Sequence, residues 1–452
     1  MLLTELQTGL ASGELTSRGL VEESLKKIAD PSGDGARCFL TVYADPARRQ
    51  ADLVDEARRH GLPLPPFAGV PLSIKDLYDV AGEVTRAGSK SRDGEAPATE
   101  NADAVKFVRR AGFIVVGRNN MTEFAYSGLG LNAHFPSPRS PWQREIGHVP
   151  GGSTSGGAVS VADGMVPATL GSDTGGSCRL PAAYCGIVGF KPTSTRISKR
   201  GVFPLSATLD SVGPLAGSVS CCAVLDSLLA GGAGEDEAPF PLAGLRLGVV
   251  EGYVDAELDR QVAEAYAAAL GRLAKAGARL IVLNIPEFAE LPHINRKGGI
   301  VAAEAYALHR PYLETRRDAY DPWVLARIES GAGQTAADYI KLLAERRRAI
   351  AAVAARAMGL DALALPTAPN IPPRIDELGD LAQSQAINQR CLRNTSIANF
   401  LDRPSISIPC HAPGSAPVGF MLMGETGGDR RLLAIARGLE GAVRLQADRR
   451  SP

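Results

Sequence analysis

The stretch VPGGSTSGGAVSVADGMVPATLGSDTGGSCRLPAAYCGIVGFKP, residues 149–192, contains ten glycines and five serines. Glycine lacks a Cβ atom and adopts backbone conformations that other residues avoid. In such a loop, successive backbone N–H groups can point into one concavity and stabilise negative charge. The stretch therefore predicts a loop that surrounds serine hydroxyl groups with free backbone amides.

Two common chemistries do not fit this stretch. A nucleotide-binding P-loop requires a lysine directly after its second glycine, and the stretch has no lysine before Lys191. The nucleophile elbow of α/β-hydrolases requires G-x-S-x-G, and no serine of the chain has glycine at both flanking positions. A Ser-His-Asp triad also finds no support in the sequence contexts of the six histidines, which are His60, His134, His148, His293, His309 and His411.

What remains is a serine nucleophile whose base is not histidine. In SDTGGS, residues 172–177, Gly175 and Gly176 can aim their amides into one concavity, and Ser177 follows them directly. The hydroxyl of Ser177 would then lie at the rim of a site that stabilises the oxyanion of an attacked carbonyl group. This arrangement predicts acyl transfer.

The composition is that of a folded globular protein, with 452 residues of which 45% are apolar and 22% are charged. The 49 lysines and arginines balance the 49 aspartates and glutamates. The sequence therefore shows no basic excess of the kind that direct binding to nucleic acid or to a membrane surface usually needs. A small uncharged or mixed-charge substrate fits this balance better.

The cysteine pattern disfavours both a disulfide framework and a zinc site, because the seven cysteines are odd in number and include no C-x-x-C pair. We expect reduced, buried thiols and neither a metal nor an organic cofactor. The N-terminal segment carries Glu5 where a secretory signal carries positive charge, and no run of about 18 apolar residues occurs. The sequence therefore predicts a soluble cytoplasmic protein.

Short apolar runs alternate with longer amphipathic patterns, which is typical of an α/β fold with a largely parallel or mixed sheet. Residues 230–244 have the composition of a linker, but the same alternation continues on both sides, so we expect a single domain over residues 1–452. The predicted strands lie at 69–77, 112–117, 244–250, 278–285, 361–366, 403–410 and 417–424. The predicted helices are a surface helix within residues 1–30 and helices within 99–111, 256–277, 335–359 and 429–443.

Five segments, taken together, resemble the amidase signature family. They occur in the family's order, and the interval of 24 residues from Ser153 to Ser177 matches that of the family. The resemblance covers about residues 6–441 and implies a twisted mixed sheet covered by helices on both faces, with the catalytic core at about residues 67–216. The segments are FAGVPLSIKD (67–76), NNMTEFAYS (119–127), VPGGSTSGG (149–157), GSDTGGSCRLPAAYCGIVGFKPT (171–193) and ATLDSVGPLA (207–216).

The resemblance implies a Ser-cisSer-Lys triad, with Ser177 as nucleophile, Ser153 as the bridging serine after a cis peptide bond, and Lys75 as base. A lysine acts as a base only when it is neutral, and burial is a physical route to the lowered pKa that this requires. Lys75 lies in an apolar segment, although the neighbouring Asp76 would keep it charged if it pointed the same way. The implied oxyanion hole consists of the backbone N–H groups of Thr174, Gly175, Gly176 and Ser177.

Several roles near the triad stay open at this point. Ser155 is the rival for the bridging role, whereas Thr154 replaces a serine that is not a triad member in the family. We expect Asp173 to hydrogen-bond the oxyanion loop and Arg179 to form a structural salt bridge or to bind a substrate carboxylate. Cys178 beside the nucleophile is a less favoured thiol alternative. The candidate substrate-binding residues are Met121, Tyr126, Ser155 and Arg179.

The resemblance implies two activities for such a site. The favoured one is a freestanding amidase that hydrolyses linear amides other than peptide bonds through a serine acyl-enzyme. The alternative is the A subunit of the glutamyl-tRNA(Gln) amidotransferase, which uses the same triad to release ammonia from glutamine for a partner subunit. Residues 301–323 do not match the SSNLSRFDG-like segment typical of those subunits. We therefore favour the freestanding amidase and expect a small-molecule amide as substrate. The sequence leaves the assembly open, although a homodimer is common among relatives.

Overall fold

One continuous mixed sheet runs through the computed structural model, which describes residues 2–445. Its strands are β1 (Phe39–Val42), β2 (Pro71–Lys75), β3 (Ile114–Asn119), β4 (Ala168–Asp173), β5 (Val188–Lys191), β6 (Ser211–Ala216), β7 (Arg246–Glu251), β8 (Arg279–Asn284), β9 (Ala362–Pro366), β10 (Ser405–Pro409) and β11 (Gly419–Met423). Along the sheet they follow the order β1-β3-β2-β4-β6-β5-β10-β11-β9-β7-β8. The seven strands predicted from the sequence are all confirmed.

The centre of the sheet combines parallel and antiparallel pairs. Strand β2 is parallel to both β3 and β4, with Ser73 opposite Thr169, whereas β4 and β6 are antiparallel. Every residue of β2 and of β4 is buried. Strands buried in this way are covered on both faces, so the predicted α/β architecture with helices on both sides of a mixed sheet is confirmed.

The helices that cover the sheet include the four internal and C-terminal helices predicted from the sequence. The prediction of a single N-terminal surface helix is wrong, because the structure has two helices there. They are separated at Gly13, which has a φ of +79°. The helices are α1 (Leu3–Ser12), α2 (Ser17–Ala29), α3 (Gly35–Cys38), α4 (Ala44–Arg59), α5 (Asp103–Arg110), α6 (Ser155–Ala162), α7 (Arg179–Cys185), α8 (Val219–Leu229), α9 (Arg260–Lys275), α10 (Pro286–Ile294), α11 (Gly299–Arg316), α12 (Pro322–Glu329), α13 (Ala336–Arg356), α14 (Leu381–Leu392), α15 (Thr395–Phe400) and α16 (Asp429–Val443).

Four strands, β1, β4, β5 and β6, were not predicted from the sequence. Strands β4 and β6 contain glycine, serine and proline, which are depleted in strands, so local propensity gives no signal there. Tertiary packing decides their conformation instead. A Cβ atom on Gly213 of β6 would lie 2.1 Å from the carbonyl oxygen of Phe190, so glycine permits the close pairing of β6 with β5.

The segment with linker-like composition, residues 230–244, connects α8 to β7, and both neighbouring strands β6 and β7 belong to the same sheet. All seven cysteines are buried and free, as predicted. Among residues 2–445, no cluster of three or more potential metal-ligating side chains occurs. Within the same range, the helices are too short or too polar to span a lipid bilayer.

Candidate active site

The ends of two neighbouring parallel strands bring the first two groups of the site together. Lys75 is the last residue of β2, and Ser172 lies next to the end of β4. Parallel strands present their carboxyl ends at the same edge of a sheet, where α/β proteins commonly place their binding sites. The Nζ atom of Lys75 donates a hydrogen bond of 2.9 Å to Ser172 Oγ and one of 2.7 Å to Ser153 Oγ.

The amine of Lys75 is held in an interior that favours its neutral form. The residue is fully buried, and burial lowers the pKa of its amine to about 8. The neighbouring Asp76 points elsewhere, because its carboxylate accepts a 2.7 Å hydrogen bond from Arg118 and one of 3.0 Å from the amide of Gly88. Among residues 2–445, Lys75 therefore has no carboxylate in hydrogen-bond contact that would stabilise its charge.

Ser153 lies in a loop that packs closely against residues 119–130. Its peptide bond with Gly152 is cis, as implied by the resemblance. The amide of Gly152 donates to the carbonyl of Gly128 over 2.7 Å, and the amide of Thr122 donates to the carbonyl of Ser153 over 3.2 Å. A Cβ atom on residue 152 would lie 2.6 Å from the amide nitrogen of Gly130, so only glycine permits this approach.

Ser177 lies between β4 and α7, next to the loop of Ser153. The amide of Thr154 donates to the carbonyl of Ser177 over 3.4 Å, which places the two serine-bearing loops side by side. Ser177 is 4% exposed and its hydroxyl makes no hydrogen bond with the rest of residues 2–445, including Ser153. The structure thus links Lys75 directly to Ser153, and it brings Ser177 next to that pair.

Asp173 fixes the loop that precedes Ser177. Its carboxylate accepts hydrogen bonds from the amides of Gly176 (2.8 Å) and Cys178 (3.0 Å) and from the guanidinium of Arg179 (2.9 and 3.0 Å). Burial alone would raise the pKa of Asp173, but the ion pair with Arg179 and these hydrogen bonds hold it well below its usual range. The loop is therefore anchored by a buried negative charge at its base.

Because of these hydrogen bonds, one of the four amides predicted to form the oxyanion hole is not available. The N–H of Gly176 donates to Asp173 and is not free to bind an oxyanion. The amides of Thr174, Gly175 and Ser177 have no hydrogen-bond partner in the part of the chain that the structure describes. A Cβ atom on Gly175 would meet nothing within 4 Å, so open space lies beside that residue.

Arg179 is fully buried and all of its contacts lie within the protein. Besides Asp173, its guanidinium donates to the carbonyl of Thr395 (2.8 Å) and to the side chain of Asn399 (2.7 Å). Thr395 in turn donates from its hydroxyl to the carbonyl of Gly175 over 2.8 Å. Of the two roles expected for Arg179, a structural salt bridge and the binding of a substrate carboxylate, these contacts correspond to the first. They also connect helix α15 to the loop of Ser177.

The remaining predicted residues surround the pair of loops in different ways. Ser155 begins helix α6, and its buried hydroxyl has no partner within residues 2–445 and does not bind Lys75. Met121 is fully buried in the main hydrophobic cluster, while Tyr126 is half-buried at the edge of the same cluster. The structure therefore brings Ser153, and not its rival Ser155, into contact with the amine of Lys75.

Sequence reasoning missed Ser172 and Asp210. Asp210 accepts a 2.5 Å hydrogen bond from the hydroxyl of Thr174, and burial raises the pKa of its carboxyl group to about 6. Both residues line a cavity of about 200 Å³ that also contacts Phe203 and Thr174. The segments GSDTGGS and ATLDSVGPLA contained them, but nothing in either pattern gave the direction of their side chains.

A third missed residue is Arg327, on helix α12. Its guanidinium donates to the carbonyl of Tyr126 over 3.3 Å, and its other terminal nitrogen is buried without a hydrogen-bond partner in the described residues. Burial lowers the pKa of the guanidinium, although Asp321 and Tyr126 act in the opposite direction. A cation so placed, without a paired carboxylate, lies beside the segment 119–130 that packs on Ser153.

The chain is similar to known proteins over nearly its whole length. The family model Amidase matches residues 19–433. The chain is 35% identical to the 2-amino-5-chloromuconic acid deaminase of Comamonas testosteroni, with 98% of this chain and 96% of that protein covered. It is 32% identical to the A subunit of the glutamyl-tRNA(Gln) amidotransferase of Synechococcus sp. (strain CC9605), with 99% and 98% covered. A crystal structure of an amidase superposes with a TM-score of 0.88 at 30% identity, covering 98% of this chain and all of that one.

The fold and the match over most of the chain define an amide-hydrolysing class of enzyme. The chain belongs to the amidase signature family.

Proposed function

We propose that the chain is an amidase in which Ser177 is the nucleophile, Ser153 relays protons and Lys75 is the base. In the first step the Oγ atom of Ser177 attacks the amide carbonyl carbon and passes its proton to Ser153, which passes its own proton to neutral Lys75. The product is a tetrahedral intermediate whose oxyanion is stabilised by the free amides of the 174–177 loop.

In the second step the proton returns from the Lys75 ammonium through Ser153 to the leaving nitrogen. The C–N bond then breaks, and ammonia or an amine departs while the acyl group stays on Ser177. Water attacks this ester by the same proton route, which releases the carboxylic acid and restores the free hydroxyl of Ser177. Over the whole cycle the proton lost with the amine is replaced by one from water, so the three side chains return to their starting state and the proposal invokes neither a metal nor an organic cofactor.

The observation that supports the proposal most directly is the 2.7 Å hydrogen bond from Lys75 Nζ to Ser153 Oγ in a fully buried site. A lysine without a carboxylate in contact, with a pKa near 8, supplies a substantial neutral fraction at mildly alkaline pH. The adjacency of the Ser153 and Ser177 loops supports the relay role. Asp173 and Arg179 act as positioning residues, because they hold the loop and do not reach the reacting atoms.

The test is hydrolysis of a panel of aliphatic amides, anilides, carbamates, ureides and glutamine. Ser177→Ala should abolish turnover, and Lys75→Met and Ser153→Ala should lower kcat by at least about 100-fold, as is typical for loss of a general base or relay. Lys191→Met is the matched control for a buried lysine, because Lys191 is fully buried with a pKa of about 8 but donates only to the carbonyl of Pro192. Ser160→Ala is the control for a buried serine. Retained turnover in Ser177→Ala would refute the proposal.

The alternative is an amidotransferase A subunit. It is supported by relatives that carry that name and that align with this chain over nearly the full length of both proteins. The discriminating measurement is glutamine hydrolysis by the isolated chain. A freestanding amidase releases ammonia from its amide substrate without any partner protein. Glutaminase activity that appears only after partner subunits are added would favour the alternative.

We infer further that the substrate carries a carboxylate near its amide. The unpaired nitrogen of Arg327 supports this, because a guanidinium with one buried nitrogen and no carboxylate partner among the described residues is stabilised by an anionic ligand. One relative is named as a deaminase of a muconic acid, which is an acidic substrate. Arg327→Leu should raise KM for acidic amides at least tenfold and leave neutral amides of equal length nearly unchanged. Equal effects on both substrate types would contradict the inference.

A further inference from the structure

A groove far from the Lys75–Ser153 pair contains an arginine, Arg403, whose side chain has no hydrogen-bond or ion-pair partner within residues 2–445. The groove has a volume of about 490 Å³, which is within the range of small-molecule sites. It lies between the turn that follows α13, the end of β11 and the start of α16. Arg403 lines it, although this residue is only 6% exposed.

The guanidinium of Arg403 makes no hydrogen bond or ion pair with any residue from 2 to 445. Burial lowers its pKa, and Glu425 opposes this effect from the rim of the groove. The backbone around Arg403 is fixed, because its amide donates to Ala398 over 2.9 Å and the carbonyl of Pro404 accepts from Gly424 over 2.9 Å. The guanidinium is thus held at the groove with no carboxylate in direct contact among the residues that the structure describes.

The other charged groups of the groove do not supply a counter-charge. Asp361 is engaged by Arg431, at 2.5 Å, and by the amide of Arg246, at 2.8 Å. Glu425 is exposed to solvent, where its charge is screened. Helix α16 also begins at this groove, and its N-cap, Gly428, provides no side-chain hydrogen bond. The first turn of this helix carries the buried carboxylate of Asp429, which Thr193 contacts, so the helix end is already compensated and the anion site depends on Arg403.

The remaining wall of the groove is apolar. Leu363, Met423 and Leu432 form buried parts of it, and Met358 is 79% exposed at its edge. An exposed methionine beside buried apolar side chains can pack against a flexible hydrocarbon chain. The groove therefore combines one buried cationic donor with an apolar surface.

We propose that this groove is a binding site for a monocarboxylate with an apolar body, whose carboxylate pairs with Arg403. The planar guanidinium offers two parallel N–H donors to the carboxylate, and the apolar body lies against the accessible side chains of Ala357, Met358 and Leu360. The site is separate from the amide-cleaving centre and does not depend on the function proposed for that centre.

The test is isothermal titration calorimetry of the full chain with octanoate. Octanoate should bind with one-to-one stoichiometry to this groove, and Arg403→Leu should weaken that binding at least tenfold. Arg430→Gln is the matched control, because Arg430 lies on the same helix, is 71% exposed and is paired with Glu237 outside the groove. It should change the affinity less than threefold. Circular dichroism and the melting temperature verify that each variant is folded, and Arg403→Lys replaces Arg403→Leu if the latter does not fold.

Three outcomes would overturn the proposal. The first is octanoate affinity that is unchanged in Arg403→Leu, which would place octanoate elsewhere, for example at the amide-cleaving centre. The second is acetate or inorganic phosphate binding as tightly as octanoate, which would remove the role of the apolar wall. The third concerns Glu425: if Glu425→Gln lowers the melting temperature as much as Arg403→Leu does, and the double variant lowers it no further, the two residues are each other's partners.

Discussion

Asp173 and Arg179 form an ion pair in which both side chains are completely shielded from solvent. The pair lies at the base of the loop that carries Ser177, and Asn399 contacts both of its members. Removing one partner of a buried pair leaves an uncompensated charge, which typically costs about 3–5 kcal/mol. The integrity of the proposed nucleophile loop therefore depends on a contact that does not itself touch the substrate.

Arg179→Met should lower the free energy of unfolding by about 3–5 kcal/mol, because the Asp173 carboxylate then lacks its cation. Arg179→Lys keeps the charge but not the planar fork that also reaches Thr395 and Asn399, so we expect an intermediate loss. Urea denaturation monitored by circular dichroism measures both. A loss below about 1 kcal/mol for Arg179→Met would show that the loop is anchored by other contacts.

The pH dependence of turnover should follow the neutral fraction of Lys75. Since the pKa of its amine is about 8 and the base must be neutral, kcat/KM should rise with pH below 8 and level off above it. The slope below the midpoint should approach tenfold per pH unit. The measurement is kcat/KM from pH 6 to 9.5 in buffers of constant ionic strength. A flat profile over that range would contradict the role proposed for Lys75.

Asp210 should make the folded state less stable as the pH rises from about 4 to 6. Its pKa is raised to about 6 by burial, so between these values the folded state binds more protons than the unfolded state. The contribution of this group to stability is therefore present at low pH and lost as the pH rises. Relative to Asp210→Asn, the wild-type chain should lose about 2 kcal/mol between pH 4.5 and 7.

Urea denaturation of both proteins at the two pH values tests this expectation. The Asn side chain cannot ionise, so the variant serves as the reference for all other titrating groups. A difference between wild type and variant that does not change with pH would show that Asp210 has the same pKa in both states.

Cys178 should be dispensable for turnover although it adjoins Ser177. Its thiol is completely buried, burial raises its pKa well above the usual range, and its sulfur lies 3.7 Å from the carbonyl oxygen of Gly213. The thiolate needed for nucleophilic attack is therefore disfavoured. Cys178→Ala should keep most of the kcat of the wild-type chain, and iodoacetamide should not inactivate the folded protein. Loss of activity equal to that of Ser177→Ala would revive the thiol alternative.

The sequence allowed the strands with regular apolar patterns to be predicted, and the resemblance to the amidase signature family implied the pair of Lys75 and Ser153. The strands β4 and β6 could not be predicted, because their glycine, serine and proline residues have low strand propensity and pairing across the sheet decides their conformation. Contacts in the site that depend on the direction of a side chain could not be predicted from the sequence either. Neither the contact of Ser172 with Lys75 nor the use of the Gly176 amide by Asp173 follows from residue order.

Because residue order does not give side-chain contacts, the sequence also did not distinguish Arg403 and Arg327 from other arginines. Each is one of many arginines in the sequence, and what sets them apart is a buried terminal nitrogen without a partner in Arg327 and the low exposure of Arg403 at the wall of a groove. These properties belong to the packed structure. Asp76, by contrast, was recognised as a competitor for Lys75, and the structure resolves the question through its ion pair with Arg118.

The order of strands in the sheet has a consequence for how the chain is made. Lys75 and Ser172 are 97 positions apart, and β10, from Ser405 to Pro409, lies between β5 and β11. On a ribosome, the middle of the sheet stays incomplete until residues beyond 423 have left the exit tunnel. Pairings between such distant segments form slowly, so newly made chains pass through a period with uncovered sheet edges. Recovery of amide cleavage after dilution from urea would therefore report late assembly rather than early collapse.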